Sequence, residues 1–175
     1  VVVGGLALFL AGGFLWDRKR NRFHALAGWW ARGAVRGRIR KHAPLEIRGL
    51  EHIKEGPYVV VANHQSMVDL MVTYELPVPF RTLVKRSWAF TPLGFNMWLA
   101  GYPLVSPGRG DRARNQLLQD CLRRLEDGLS ILIFPEGTRS RNHELLPFRR
   151  GAFELAHEAG CSVLPVALAG TDDLS

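Results

Sequence analysis

Residues 58 to 61, Tyr-Val-Val-Val, form a short apolar run that is β-branched at three of its four positions, bounded by Gly56-Pro57 before and Asn63 after. Such a run reads as a fully buried strand, since it is too short for a core helix and is closed at both ends by turn residues. A buried strand of this kind commits the chain to a sheet covered on both faces. The strand delivers His64 and, five residues later, Asp69. In open α/β sheets the chemistry collects at the carboxyl ends of strands, so His64 is placed as a candidate catalytic base. Were the segment from Asn63 to Asp69 a regular helix, steps of about 100° would leave His64 and Asp69 roughly 140° apart and unable to meet. His64 is therefore expected in the turn, with Asp69 on the first helical turn reaching back. A lone His followed by an Asp reads as a capping histidine and a surface acid. This pair does not stand alone.

The second apolar run, Ile131 to Phe134, leads into Pro135-Glu136-Gly137-Thr138-Arg139-Ser140. Gly137 permits a sharp turn with exposed backbone N–H groups, Thr138 supplies a hydroxyl, and Arg139 can grip a phosphate with two parallel hydrogen bonds. Together they make a candidate anion cradle. It is not a nucleotide P-loop, because the required Gly, four residues, Gly-Lys-Ser/Thr pattern is absent from the chain.

Between and around these runs the pattern is α/β. Leu45 and Ile47 alternate as a first strand, and Met67, Leu70, Met71 and Tyr74 give an inward helix face after Tyr58–Ala62. Phe80 to Val84 is a strand, Trp88 to Gly101 two short helices broken by Pro92 and Gly94, and Tyr102 to Val105 a strand. Asp111 to Asp127 is an amphipathic helix, Phe148 to Ala159 another, and Ser162 to Leu168 a strand whose Pro165 demands an edge or a bulge. The expected fold is α/β, a mostly buried mixed sheet flanked by helices. Cys121 and Cys161, the only cysteines, show no metal or redox spacing and read as packing residues. No His/Asp/Glu set has ligand spacing, so no metal is expected.

Charge is unevenly placed. The net charge is +7, yet nine of the 23 basic residues lie between Arg18 and Lys41, a stretch without an acid, leaving 14 basic and 16 acidic residues elsewhere. A nucleic-acid binder is expected to be basic on its folded part as well, so the asymmetry favours a membrane surface. Residues 1 to 16 are apolar and uncharged, and as a helix they would reach roughly 24 Å, short of a ~30 Å hydrocarbon core by a few residues. The basic cluster follows the apolar run instead of preceding it, which argues against a cleaved signal and for a cytoplasmic basic side. Gly4, Gly5, Gly12 and Gly13 weaken the alternative of a buried soluble helix. Residues 23 to 40 read as an interfacial helix, with Phe23, Leu26, Ala27, Trp30 and Ala34 on one face and Arg32, Arg36 and Arg40 on the other. The domain reading is thus 1–42 as a membrane-anchoring and interfacial helical segment and 43–175 as the main domain. The chain starts with Val and ends soon after a strand, so both ends are expected to be truncations.

Taken together, the clusters resemble the glycerolipid acyltransferase family typified by bacterial 1-acylglycerol-3-phosphate acyltransferase. Asn63-His64 through Asp69 is similar to its first block, Phe134-Pro135-Glu136-Gly137-Thr138-Arg139 to its third and Val163-Leu164-Pro165-Val166 to its fourth, over about Pro44 to Thr171. The resemblance implies transfer of a fatty acyl group from acyl-CoA or acyl carrier protein to the hydroxyl of lysophosphatidate, giving phosphatidate in phospholipid synthesis, with no bound cofactor. His64 would be the general base, and Asp69 would fix its tautomer and stabilise the imidazolium. Glu136, Gly137, Thr138 and Arg139 carry over as the acceptor-phosphate site, and Pro165 as part of the fourth block. Ser66 reads as a helix-start residue and Asn63 as a turn-shaping one.

One block departs. Where the family's second block ends in Asp-Arg, this chain has Ser106-Pro107, so Arg109 or Arg112 would have to substitute from a shifted loop, or the acceptor would differ. The alternatives are therefore another lysophospholipid or an aminoacyl lipid as acceptor, or a non-catalytic anionic-lipid binding protein. An esterase is disfavoured because there is no Gly-x-Ser-x-Gly elbow. Expected partners are a membrane with anionic lipid, the lysophospholipid acceptor and the thioester donor, with no nucleic acid. The expected location is the cytoplasmic face of a membrane, the bacterial inner membrane in the resembling proteins.

Overall fold

Four parallel strands in the order β2-β5-β1-β6 form the central sheet of the computed structural model, which describes residues 21–38, 45–106, 110–140 and 144–171. The expected membrane segment 1–16, Arg40 and Arg109 lie outside the described residues. The strands are β1 (Tyr58–Ala62), β2 (Phe80–Thr82), β5 (Ser130–Ile133) and β6 (Ser162–Val166). Two further strands, β3 (Val84–Lys85) and β4 (Leu104–Val105), pair with each other in parallel. The main helices are α1 (Asn21–Arg38), α2 (Val68–Thr73), α3 (Pro92–Leu99), α4 (Asp111–Glu126) and α5 (Gly151–Ala159), with a 3-10 turn at Arg86–Phe90.

The sheet is parallel and not mixed. Each return to the sheet is made through helical crossovers, α2 before β2, α4 before β5 and α5 before β6, and such crossovers join parallel neighbours. Leu45 and Ile47 do not form a strand; both are exposed in a loop that pairs with no strand of the sheet. Pro165 sits on β6, the edge strand, opposite Val61, where a missing N–H costs no ladder bond on the free side.

Alternation along the strands sorts the core into two layers. Tyr58, Val60, Ala62, Phe80 and Leu132 pack with Tyr74, Val78 and Ala31 on one face. Val59, Val61 and Ile131 pack with Cys121, Leu125, Ala152, Leu155 and Ala156 on the other. Cys121 is thus a core residue, its thiol pushed up to about 12 chiefly by burial, with Asp120 adding to the shift and Arg124 opposing it.

Helix α1 packs onto this core through its small residues. Gly28, Ala31 and Val35 are buried and His24 is half-buried, whereas Trp29 and Trp30 are 66% and 39% exposed. Small residues let the helix approach closely. A β-carbon at Gly28 would already lie 3.2 Å from Cδ1 of Tyr74. The arginines expected to face lipid turn partly onto the domain instead: Arg32 Nη1 donates to the Tyr74 carbonyl at 2.9 Å, and Arg36 lies 3.8 Å from Glu75. No helix among the described residues is long and apolar enough to cross a membrane.

The 3-10 turn and α3 form a tight helical pair. Thr91 Oγ1 bonds to the Trp88 carbonyl and accepts the Gly94 N–H, and Gly94 approaches so closely that a β-carbon would sit 1.9 Å from the Trp88 oxygen. Their outer surface carries Trp88, Phe90, Phe95 and Trp98, with Phe90 90% exposed.

Candidate active site

Strands β1 and β5 are parallel neighbours in register, Val61 opposite Ile133, so the segments that leave their carboxyl ends emerge side by side. This alone brings the His64 turn and the Glu136 turn together across 72 residues of sequence. Two backbone links then fix them. The Glu136 carboxylate accepts the His64 N–H at 2.8 Å through Oε1, and the Ser140 N–H donates to the His64 carbonyl at 2.9 Å. Glu136 is buried, and its second oxygen accepts the Leu146 N–H at 3.1 Å.

His64 and Asp69 meet as expected. His64 Nδ1 lies 2.8 Å from Asp69 Oδ2, Asp69 is fully buried, and the His64 side chain keeps 18% exposure. Asp69 is the second residue of α2, and Oδ2 also accepts the N–H groups of Gln65 at 2.6 Å and Ser66 at 2.7 Å. The aspartate thus shapes the turn that carries its own partner. Oδ1 accepts the hydroxyl of Thr171, which arrives from beyond β6. Burial pushes the Asp69 carboxyl up. The hydrogen bonds from His64, Ser66, Thr171 and Gln65 outweigh it and hold the group below the ordinary carboxylate value. With an ionised carboxylate on Nδ1, the proton of a neutral imidazole resides on Nδ1, and Nε2 carries the free lone pair.

The imidazole plane is set by a residue to which the sequence reading gave no role of its own. Phe134 stacks on His64 with ring centroids 4.0 Å apart and planes 17° apart. Ser66 Oγ accepts the Val68 N–H at 3.1 Å, the geometry of a helix-start residue. Asn63 ties the ends of β1 and β6 together, since its amide donates to the Leu168 carbonyl at 2.8 Å while its oxygen accepts the Leu168 N–H at 2.7 Å.

Gly137, Thr138 and Arg139 are exposed, and Gly137 holds φ +72°, where a side chain is strained. Arg112 is exposed in the first turn of α4, and Pro165 is exposed on β6. Ser106 is half-buried and lines a cavity of about 370 Å³, together with Arg86, Trp98, Leu104, Gln116 and Arg124. Phe134, Thr171 and Arg149, which lies against Gly137, are the members of this neighbourhood that the sequence did not single out. Only Phe134 had a sequence signal, as the last residue of an apolar strand next to the polar turn.

A parallel sheet thus presents, at one end, an oriented His–Asp pair able to take a proton and a glycine-arginine turn able to meet an anion. The acyltransferase family's sequence model matches residues 44–169, and the chain belongs to that family. Among curated relatives, the 1-acyl-sn-glycerol-3-phosphate acyltransferase of Chlamydomonas reinhardtii is 42% identical over 121 residues, covering 67% of this chain and 36% of that protein. The chloroplastic enzyme of Brassica napus is 35% identical over 162 residues, covering 90% and 45%. The alpha form of Homo sapiens is 37% identical over 133 residues, covering 74% and 47%. The chain therefore spans less than half the length of these relatives. The crystal structure of the 1-acyl-sn-glycerophosphate acyltransferase of Thermotoga maritima superposes with a TM-score of 0.77 at 25% identity, covering 98% of this chain and 68% of that one.

Proposed function

We propose that the chain is a membrane-associated acyltransferase that moves a fatty acyl group from a thioester to the free hydroxyl of lysophosphatidate, producing phosphatidate. The observation that carries this reading is the His64–Asp69 pair at 2.8 Å, locked against the Glu136–Ser140 turn by both backbone groups of His64. The names of the relatives, all acylglycerol phosphate acyltransferases, support the same acceptor.

In this reading Nε2 of His64 takes the proton of the acceptor hydroxyl as its oxygen attacks the thioester carbonyl. The tetrahedral intermediate collapses, the carbon–sulfur bond breaks, and the thiolate recovers the proton from the imidazolium. Asp69 stabilises that imidazolium and remains ionised throughout. The nucleophile is the acceptor itself, so no covalent enzyme intermediate forms. Thr138, Arg139 and the N–H groups of the Gly137 turn hold the acceptor phosphate, and Glu136 holds the shape of the turn. The donor is acyl-CoA or acyl carrier protein. His64→Ala is expected to abolish transfer while leaving the fold and lipid binding intact; substantial residual turnover overturns the mechanism.

The membrane part of the proposal draws on the exposed aromatics. Trp88, Phe90, Phe95 and Trp98 project beside Lys85 and Arg86, and Trp29 and Trp30 project from α1, a composition suited to the headgroup layer of an anionic leaflet on the cytoplasmic side. Sedimentation with vesicles of phosphatidylcholine, with and without phosphatidylglycerol, tests it, and binding is expected to rise with the anionic lipid.

A second reading keeps the reaction and changes the acceptor to another lysophospholipid or an aminoacyl lipid. It is favoured by Ser106, which stands in a cavity where the resembling proteins carry the acid of an Asp-Arg pair. A panel of lyso-acceptors assayed with one donor separates the two, and preference for an acceptor without a terminal phosphate rejects lysophosphatidate.

A further inference from the structure

Gly137 is occupied from outside its own turn. A β-carbon built there would lie 2.7 Å from Cζ, 2.9 Å from Nε and 3.0 Å from Nη1 of Arg149, so the guanidinium takes the space a side chain at 137 would need. The base of Arg149 is fixed as well, because its N–H donates to the Pro135 carbonyl at 2.9 Å. The side chain is exposed, and its guanidinium makes no ion pair or hydrogen bond with any described residue.

Glu136 and Glu154 are committed to other partners. Glu136 is bonded through both oxygens to the backbone N–H groups of His64 and Leu146, and Glu154 on α5 pairs with Arg114 at 2.5 Å. Arg139 follows Gly137 by two residues on the same turn. Two arginines thus belong to one turn, and neither guanidinium is paired with Glu136 or Glu154. Arginine presents its N–H donors in a fork matched to phosphate, which a point charge does not.

We propose that Arg149 is a second phosphate-binding residue of this site, gripping a substrate phosphate together with Arg139, and that residue 137 is glycine partly to admit the Arg149 side chain. The proposal rests on the assignment of the Glu136–Arg139 turn to a substrate phosphate. Both substrates bring such a group: the acceptor has a terminal phosphomonoester, and the donor has the phosphates of coenzyme A or of a phosphopantetheine arm.

Arg149→Gln and Arg149→Lys, made in the full chain, are to be assayed with acceptor and donor varied separately, with melting temperatures alongside. Loss of a charge-assisted grip is expected to raise one KM roughly 10- to 100-fold in the glutamine variant, with kcat and melting temperature close to wild type and partial rescue by lysine. A rise confined to lysophosphatidate assigns the acceptor phosphate. A rise confined to acyl-CoA, absent with an acyl-pantetheine donor, assigns the donor. Unchanged KM values for both substrates overturn the proposal, as does a loss of activity that only tracks a lowered melting temperature. The stabilisation of each protein by glycerol 3-phosphate and by coenzyme A is measured in parallel, and Arg149→Gln is expected to lose most of it for the substrate whose KM rises. That binding readout stands even if His64→Ala retains turnover, so failure of the reaction assignment is distinguishable from failure of Arg149.

Discussion

Glu136 accepts the backbone N–H of His64 at 2.8 Å, and through this contact, together with the Ser140 N–H on the His64 carbonyl, the second motif governs where the first one stands. A glutamate expected from resemblance to meet the acceptor phosphate is instead buried with both oxygens on backbone donors. An anion beside a phosphate would repel it, whereas an anion between two N–H groups of separate loops holds those loops together. Glu136→Gln is expected to lower stability by about 1–3 kcal/mol, because one buried N–H then faces an amide NH₂ in place of an oxygen. kcat should fall with little change in the acceptor KM. A large rise in KM with unchanged melting temperature would point to direct acceptor contact.

Asp69 combines an orienting role with a folding one. Its carboxylate accepts from His64, Gln65, Ser66 and Thr171, and it is held below the ordinary carboxylate range because these bonds outweigh the upward push of burial. A depressed carboxylate contributes stability that is fully present above the unfolded value of about 4 and is lost as pH falls through the lower folded value. Asp69→Asn should therefore be less stable than wild type at pH 7, with the gap narrowing in more acidic solution. Denaturant titrations at neutral and acidic pH measure this. The same variant should lose about 10²- to 10⁴-fold in kcat, since an amide does not hold the tautomer that leaves Nε2 free.

Phe134 offers a test of orientation apart from charge. Phe134→Leu keeps an apolar side chain under the imidazole and removes the stack seen at 4.0 Å, so the expected cost in stability is only about 0.5–1.5 kcal/mol. The lost restraint on the ring should appear in kcat more than in either KM. Steady-state kinetics with both substrates varied provides the check, and a change confined to KM would contradict it.

The parts of this site that were legible in the sequence are those written by neighbours along the chain. Tyr58–Ala62 and Ser130–Ile133 announce buried strands by composition, and His64 and Asp69 lie close enough that helix geometry alone forces a turn between them. Contacts made by tertiary closure were not legible. Thr171 reaches Asp69 from 102 residues away, and nothing local to a Gly-Thr after an edge strand marks its target. The docking of α1 onto the sheet is a second contact of this kind. A helical wheel shows which residues share a face but not which face the rest of the chain will cover. Close packing on Tyr74 selects the small residues and leaves Trp29 and Trp30 outside. The parallel order of the sheet, likewise, follows from which strands pair, and no strand records that by itself.

His24 gives α1 a dependence on pH. Its ring lies between Tyr74, at 5.1 Å, and Phe80, at 4.9 Å, and Nδ1 is 3.4 Å from the Tyr102 hydroxyl. Burial, with the charges of Arg81 and then Arg32 beside it, lowers its pKa from 6.5 to about 3. Arg81 is itself buried, donating to the Ala100 and Phe80 carbonyls at 3.1 and 2.9 Å, and does not move away to relieve the repulsion. The folded state holds His24 neutral while the unfolded chain protonates near 6.5. The stability due to this neutral, docked histidine is complete above that value and is lost progressively as pH falls toward about 3, at up to about 1.4 kcal/mol per pH unit. Since His24 sits on α1, the first consequence is loosening of that helix from the sheet. Wild type should therefore lose melting temperature between pH 7.5 and 5, and hydrogen exchange should rise in Asn21–Arg38 before it rises in β1 or β5. His24→Phe keeps an aromatic ring among Tyr74, Phe80 and Tyr102 without a titrating group. It should flatten the pH dependence in this window, and a slope equal to that of wild type would assign the acid sensitivity to another group.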